Sequence, residues 1–227
     1  MNGIQQLIER LRNCPLGAAG WREFEDVCVE ILTRLFVPPL TRPRIQARTY
    51  SGTDRRDAVF ANRNINGHGN WGHLFNELNA RMVLFEFKNY GAEEVGKDET
   101  NQTRNYLTAP MGRLAMICSR RLPDNGAHIK RNTIFSEDGK VILFLTDENL
   151  IEMLHMQERG EDPFRPPHGP GRVLLSAARV ERLSFTKGVF AVTSVRITRS
   201  AGILRQAFDL RVSRTCHFSS SIAPRYA

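Results

Sequence analysis

Met82-Val83-Leu84-Phe85-Glu86-Phe87-Lys88 is an apolar run with an acid and a base set into its far end. Seven such residues, two of them phenylalanine, predict a buried strand in the middle of a sheet. Side chains alternate along a strand, which puts Glu86 and Lys88 on one face and Phe85 and Phe87 on the other. A carboxylate in that setting is costly unless a cation meets it. Lys88 can be that cation, in an ion pair closing the strand, or a bound metal can. The run alone gives these two readings equal weight.

Working outward, the flanking sequence predicts an α/β sheet. Ile4, Leu7, Ile8 and Leu11 recur at helical spacing and stop before Pro15. Gly17 to Gly20 is a break. A longer helix follows, with Trp21, Phe24, Cys28, Ile31 and Leu35 on one stripe, and ends before Pro38-Pro39. Residues 44–50 predict a strand, Ser51 to Asp54 a turn, and Asp57 to Ala61 a second strand with its acid at the start. The Asn- and Gly-rich stretch 62–80 reads as a loop entering a short helix, where Trp71 and Phe75 plug the core edge. Residues 93–107 are polar and compatible with a helix. Leu114 to Ser119 and Val141 to Leu145 are further buried strands, and Thr146 is an N-cap for a helix carrying Leu150, Ile151 and Leu154. Strands followed by alternating helices and strands imply a central mixed sheet flanked by helices.

The 227 residues suffice for one domain with a proper core and a small appendage. We expect residues 1–162 to form that domain, 163–171 a Pro/Gly linker, and 172–227 an arginine-rich extension whose apolar content is thin for a fold of its own. The net charge of +8 is unevenly spread. Residues 1–165 hold 22 basic and 22 acidic residues, whereas residues 166–227 hold 10 and 2. A polyanionic partner of the first part must therefore meet a local groove and not a global field. Cys14, Cys28, Cys118 and Cys216 show no Cys-x-x-Cys spacing, so reduced thiols and a cytoplasmic setting are the expectation. No signal peptide or membrane span is predicted. The six histidines lack ligand spacing, and no phosphate-cradling glycine loop with a following Gly-Lys-Ser/Thr occurs.

Three features belong together: Asp57 at a strand start, Glu86-Phe87-Lys88 closing the next strand 29 residues on, and Gln102 and Tyr106 four apart on one helix face. In this order they resemble the PD-(D/E)xK, restriction-endonuclease-like nuclease superfamily. The likeness spans residues 17–160. It is nearest to the bacterial restriction and phage-defence branch through Arg55-Arg56-Asp57 and Phe85-Glu86-Phe87-Lys88-Asn89-Tyr90. Arg56 stands where a proline precedes the aspartate in that pattern.

The resemblance implies a Mg²⁺-dependent DNA endonuclease, with Mn²⁺ as a substitute, whose partners are DNA and a homodimer mate or a protein that directs cleavage. It implies Asp57, Glu86 and the Phe87 carbonyl as metal ligands, Lys88 beside the attacking water, and Glu25 as a further carboxylate. Gln102 would contact the nucleophile or a phosphate, with Tyr106 beside it. Arg55 and Arg56 would grip phosphate oxygens. Each has a plainer reading: Asp57 as a turn cap, Glu25 as an acid at a helix start, Gln102 and Tyr106 as a solvated face, and the arginines as neutralisers of Asp54 and Asp57. A module that kept this fold, lost hydrolysis and only binds nucleic acid is the alternative from another class. If the tail supplies DNA affinity, deleting residues 166–227 flattens the salt dependence of binding and leaves cleavage intact. Equal slopes in a filter-binding series with and without the tail would remove it from recognition.

Overall fold

A computed structural model gives the architecture and describes residues 3–48, 55–66 and 68–163, with only the backbone of Ala47, Arg48 and Arg55. The predicted turn at Ser51 to Asp54, nearly all of the linker and the whole tail lie outside those residues. The elements run α1 (Gly3–Asn13), α2 (Trp21–Phe36), β1 (Arg44–Arg48), β2 (Arg55–Ala61) and α3 (Gly69–Leu78). They continue with β3 (Met82–Lys88), α4 (Lys97–Tyr106), β4 (Leu114–Ser119), α5 (Asn125–Asp138), β5 (Val141–Thr146) and α6 (Asp147–Glu158). A single 3₁₀ turn, Gly17–Ala19, joins α1 to α2.

The fold is α/β. Its five strands make one mixed sheet in the order β1-β2-β3-β4-β5. β1 and β3 each pair antiparallel with β2, while β3, β4 and β5 are parallel neighbours. The parallel pairs need crossovers, which α4 and α5 provide. β3 is thus the middle strand, buried from Val83 to Glu86.

Alternation along the strands builds two cores. Ala58, Phe60, Val83, Phe85, Leu114, Met116, Cys118, Leu143 and Leu145 face one side and pack with α1, α2, α6 and Trp71 of α3. Val59, Leu84, Ala115, Ile117 and Ile142 face the other, against Tyr106 and Leu107 at the end of α4 and Ile134 of α5. Phe85 stacks near Phe36 of α2 and meets Phe60 edge-on, with centroids 6.3 and 5.1 Å away. Such paired aromatics add to area burial and hold α2 at a fixed angle on the sheet. Trp71 is buried against Phe36, as the sequence suggested. Trp21, expected on the buried stripe of α2, is instead 40% exposed. It is the first residue of the helix, ahead of the turn that Phe24 anchors.

Helix ends are satisfied locally. Thr146 accepts from the Asn149 amide N–H and Asn149 Oδ1 accepts in return from the Thr146 amide, a reciprocal cap that starts α6. Asp124 caps α5 by accepting from the Ala127 amide at 2.6 Å. No helix among the described residues is long and apolar enough to cross a membrane.

Arg120, just past β4, ties three helices to the sheet. Its guanidinium donates to the carbonyls of Leu11 (3.0 Å) and Cys14 (3.3 Å) at the end of α1, lies 5.3 Å from the Phe24 ring of α2, and pairs with Asp147 of α6 at 3.1 Å. Burial pushes the Asp147 carboxyl up to about 7, with Arg120 opposing the shift. Arg120→Met should lower stability by about 3–5 kcal/mol in urea unfolding, because it strands a buried acid and two helix carbonyls. Adding Asp147→Leu should restore at least half of that loss.

Candidate active site

The sheet's topology brings the predicted acids to one edge. β2 and β3 are antiparallel, so the start of β2 lies beside the end of β3. That edge is also the carboxyl end of the parallel strands, where open α/β sheets receive ligands.

The strands are irregular there. The β2–β3 ladder runs Ala61↔Met82, Phe60↔Val83, Val59↔Leu84 and Ala58↔Phe85, then stops. The next amide on the Phe87 side is not left bare: Phe87 N–H donates to Asp57 Oδ2 at 2.9 Å. A carboxylate therefore replaces a backbone carbonyl as acceptor, and the two strands part. On the other flank Gln46 interrupts the β1–β2 register opposite Asp57 and holds φ at 53°. A glutamine in the left-handed region is strained, and such strain persists only where the surroundings impose it.

Asp57 and Glu86 meet in this opening. Glu86 is 3% exposed, and its Oε1 has no hydrogen-bond partner. Burial first, and the neighbouring Asp57 carboxylate second, push the Glu86 carboxyl up to about 8, against the opposing fields of Lys88 and Arg56. A buried acid with an orphaned oxygen beside a half-buried one forms a donor set that suits a hard divalent cation. Lys88 is half-buried two residues on, on the Glu86 face of β3 by alternation.

Other predicted residues take varied places. Gln102 and Tyr106 do share a face of α4: Gln102 Nε2 donates to the Tyr106 hydroxyl at 2.7 Å. Gln102 is exposed and Tyr106 buried in the core on the α4 side. Arg56 is turned to the same tyrosine. Its Nη2 donates to the Tyr106 carbonyl at 3.3 Å and its guanidinium carbon lies 6.0 Å from the ring, while its Nε has no hydrogen-bond partner. Glu25 is buried on α2, the helix that packs on the Phe85 face. Among the described residues no three of His, Cys, Asp or Glu gather as a metal-holding group. The Arg55 side chain lies outside the described residues.

One residue of the neighbourhood had no assigned role in the sequence. Asn89, buried just after Lys88, donates from Nδ2 to the carbonyls of Pro15 and Gly17, both at 2.9 Å. Its own carbonyl accepts from Gly17 N–H at 2.9 Å. The α1–α2 connection is thereby stapled to the end of β3. An amide side chain directly after a buried strand was the available signal, since it can bond backbone on both sides.

No family model matches this chain, and no solved structure matches it. Over 117 residues, 52% of its length, it is 32% identical to the putative transposon gamma-delta 80.3 kDa protein of Escherichia coli strain K12. The match spans 16% of that protein's length.

The Glu86 shift fixes a pH dependence. In the unfolded chain the group ionises near 4.5, whereas the folded state keeps its proton up to about 8. The folded state thus holds more protons across that window, and stability falls as pH rises through it. Glu86→Gln removes the penalty. Its stability should equal the parent's near the lower limit and exceed it by roughly 3–5 kcal/mol above the upper one, in metal-free urea titrations. A constant difference across the window would show that Glu86 ionises normally.

Proposed function

We propose that this chain is a metal-dependent nuclease of restriction-endonuclease-like fold that hydrolyses DNA phosphodiester bonds, with Mg²⁺ as cofactor. The observation that carries this reading is the buried Glu86 carboxyl beside Asp57, with an unpartnered oxygen and a half-buried lysine on the same strand face. The order of elements supports it. A helix, an aspartate on a strand, Glu-x-Lys on the next strand and a helix with Gln102 and Tyr106 behind it is the order the resemblance implies. The relative's name places it with a transposon, which is compatible with DNA as the substrate.

Asp57 and Glu86 would hold the ion, with the Phe87 carbonyl as a backbone ligand. Bound there, Mg²⁺ supplies charge neutralisation at the phosphate and an acidified water. The residues do the rest. Asp57 has one oxygen committed to the Phe87 amide, which fixes its plane and leaves the other for a cation. Lys88 offsets phosphate charge and orients the attacking water from the face it shares with Glu86. Gln102 presents an amide from α4, its rotamer set by the Tyr106 hydroxyl. Arg56 braces the Tyr106 carbonyl and its charge acts on Glu86, and as the resemblance implies it would also meet a phosphate oxygen. A homodimer mate or directing protein belongs to the same proposal, as the resemblance implies.

Purified protein should nick circular DNA with Mg²⁺ and not with EDTA. Asp57→Ala, Glu86→Ala and Lys88→Ala should each cut the rate at least a hundredfold with folding retained by circular dichroism. Metal affinity by calorimetry should rise about tenfold per pH unit up to about 8, because the ion must displace the Glu86 proton. Cleavage that survives in both carboxylate variants would remove these residues from the chemistry and favour a binding-only module.

A further inference from the structure

Beside the two acids lies an open groove that the hydrolytic reading leaves unexplained. One wall is the α1–α2 connection, with Gly17, Ala18 and Trp21. The other is the chain leaving β3, from Phe87 through Lys88 and Asn89 to Glu93. Lys88, two residues beyond Glu86 on the same strand, is part of the groove's lining.

The geometry of the first wall is imposed. The chain doubles back so tightly before α2 that a Cβ on Gly20 would fall 1.9 Å from the Pro15 carbonyl oxygen. The helix therefore opens with Trp21 outside the core, 40% exposed, although its neighbours in the next turn are buried. Asn89 then clamps Pro15 and Gly17 to the strand that carries Lys88. A large aromatic is held in the open, on a rigid backbone, at a set place relative to the candidate catalytic lysine. The guanidinium carbon of Arg22 lies 5.1 Å from the Trp21 ring centroid, which gives the indole a cationic neighbour.

Ring, cation and lysine match one nucleotide. The groove's lining holds one lysine and one acid, Glu93, so it lacks the basic track that both phosphate strands of a duplex would require. An exposed aromatic of fixed position is instead what a base stacks on when it has no pairing partner. We infer that this groove takes an unpaired nucleotide next to the scissile phosphate, its base on Trp21 and its phosphate toward Lys88 and Arg22. The substrate class is then DNA with a single-stranded segment, such as an overhang, a flap or a junction. This inference rests on the nuclease reading.

The chain has two tryptophans, and Trp71 is buried, so quenching of exposed indole reports Trp21. The full-length protein is titrated in EDTA with an oligothymidylate of about eight nucleotides and with a blunt hairpin duplex closed by a non-nucleotide polyether linker, so that every base is paired. Labelled-strand anisotropy is followed beside intrinsic fluorescence. The oligothymidylate should quench emission and the hairpin should not. Trp21→Phe should abolish the quenching yet keep single-strand affinity within about threefold, since a ring remains. Trp21→Ala should weaken single-strand binding about tenfold and leave hairpin binding unchanged. Equal single-strand affinity in Trp21→Ala, or an equal loss on the hairpin, overturns the inference and assigns the groove to another occupant such as a protein partner. Plasmid nicking with Mg²⁺, run on the same preparations, separates the two failures. Nicking without any Trp21 effect sinks the groove alone, and Trp21 quenching without nicking sinks the nuclease reading.

Discussion

The hydrogen bond from the Phe87 amide to Asp57 is what the site depends on. In a regular antiparallel pair that amide would bond a backbone carbonyl of β2, and the two strands would stay closed. By accepting it, the Asp57 carboxylate ends the ladder at Ala58↔Phe85 without leaving a buried donor unsatisfied. The pairing of β2 with β3 ends there, and Glu86 and Asp57 hold the next position of the register, where they interact. Gln46, held at positive φ on the opposite flank, is the matching irregularity in β1.

Such an opening needs a rigid frame, because a buried acid is set beside a second one. The frame is the pair of cores on either side of β3. Phe85 is locked between Phe36 and Phe60, and Leu84 is buried beneath Tyr106 and Leu107. A strand clamped on both faces cannot rotate to lead Glu86 into water, so relief must come from protonation or from a cation. This is why the carboxyl is pushed up to about 8 and why its second oxygen is orphaned. The two hydrophobic clusters carry the cost of the site.

Much of this was legible in the sequence, for identifiable reasons. β3, β4 and β5 announce themselves because parallel strands covered on both faces are continuous apolar runs. Asp57, Glu86 and Lys88 stand out because charges in such runs are rare. What the sequence hid depended on backbone geometry or on weak patterning. Helix α5 buries only Ala127 and Ile134 along its length, too few for a periodic signal. Trp21 fits the apolar stripe of α2 by spacing, and only the tight turn at Gly20 takes it out of the core. Arg56 carries the charge expected of a phosphate contact, yet parting of the strands lets it reach Tyr106. The Gln46 strain leaves no mark in residue types at all.

The same sheet edge contains a built-in comparison. Asp147 follows β5 as Glu86 closes β3, both are removed from solvent, and burial is the first cause that raises each carboxyl. Their compensation differs. Asp147 meets an arginine that also donates to the carbonyls of Leu11 and Cys14, so that pair fastens helices, although Asp147 Oδ1 has no hydrogen-bond partner. Glu86 meets a second acid, and the cation nearest in sequence, Lys88, stays half-open to a groove. Glu86 beside Asp57 keeps its own proton up to about 8, and under the proposed function an incoming cation would displace that proton.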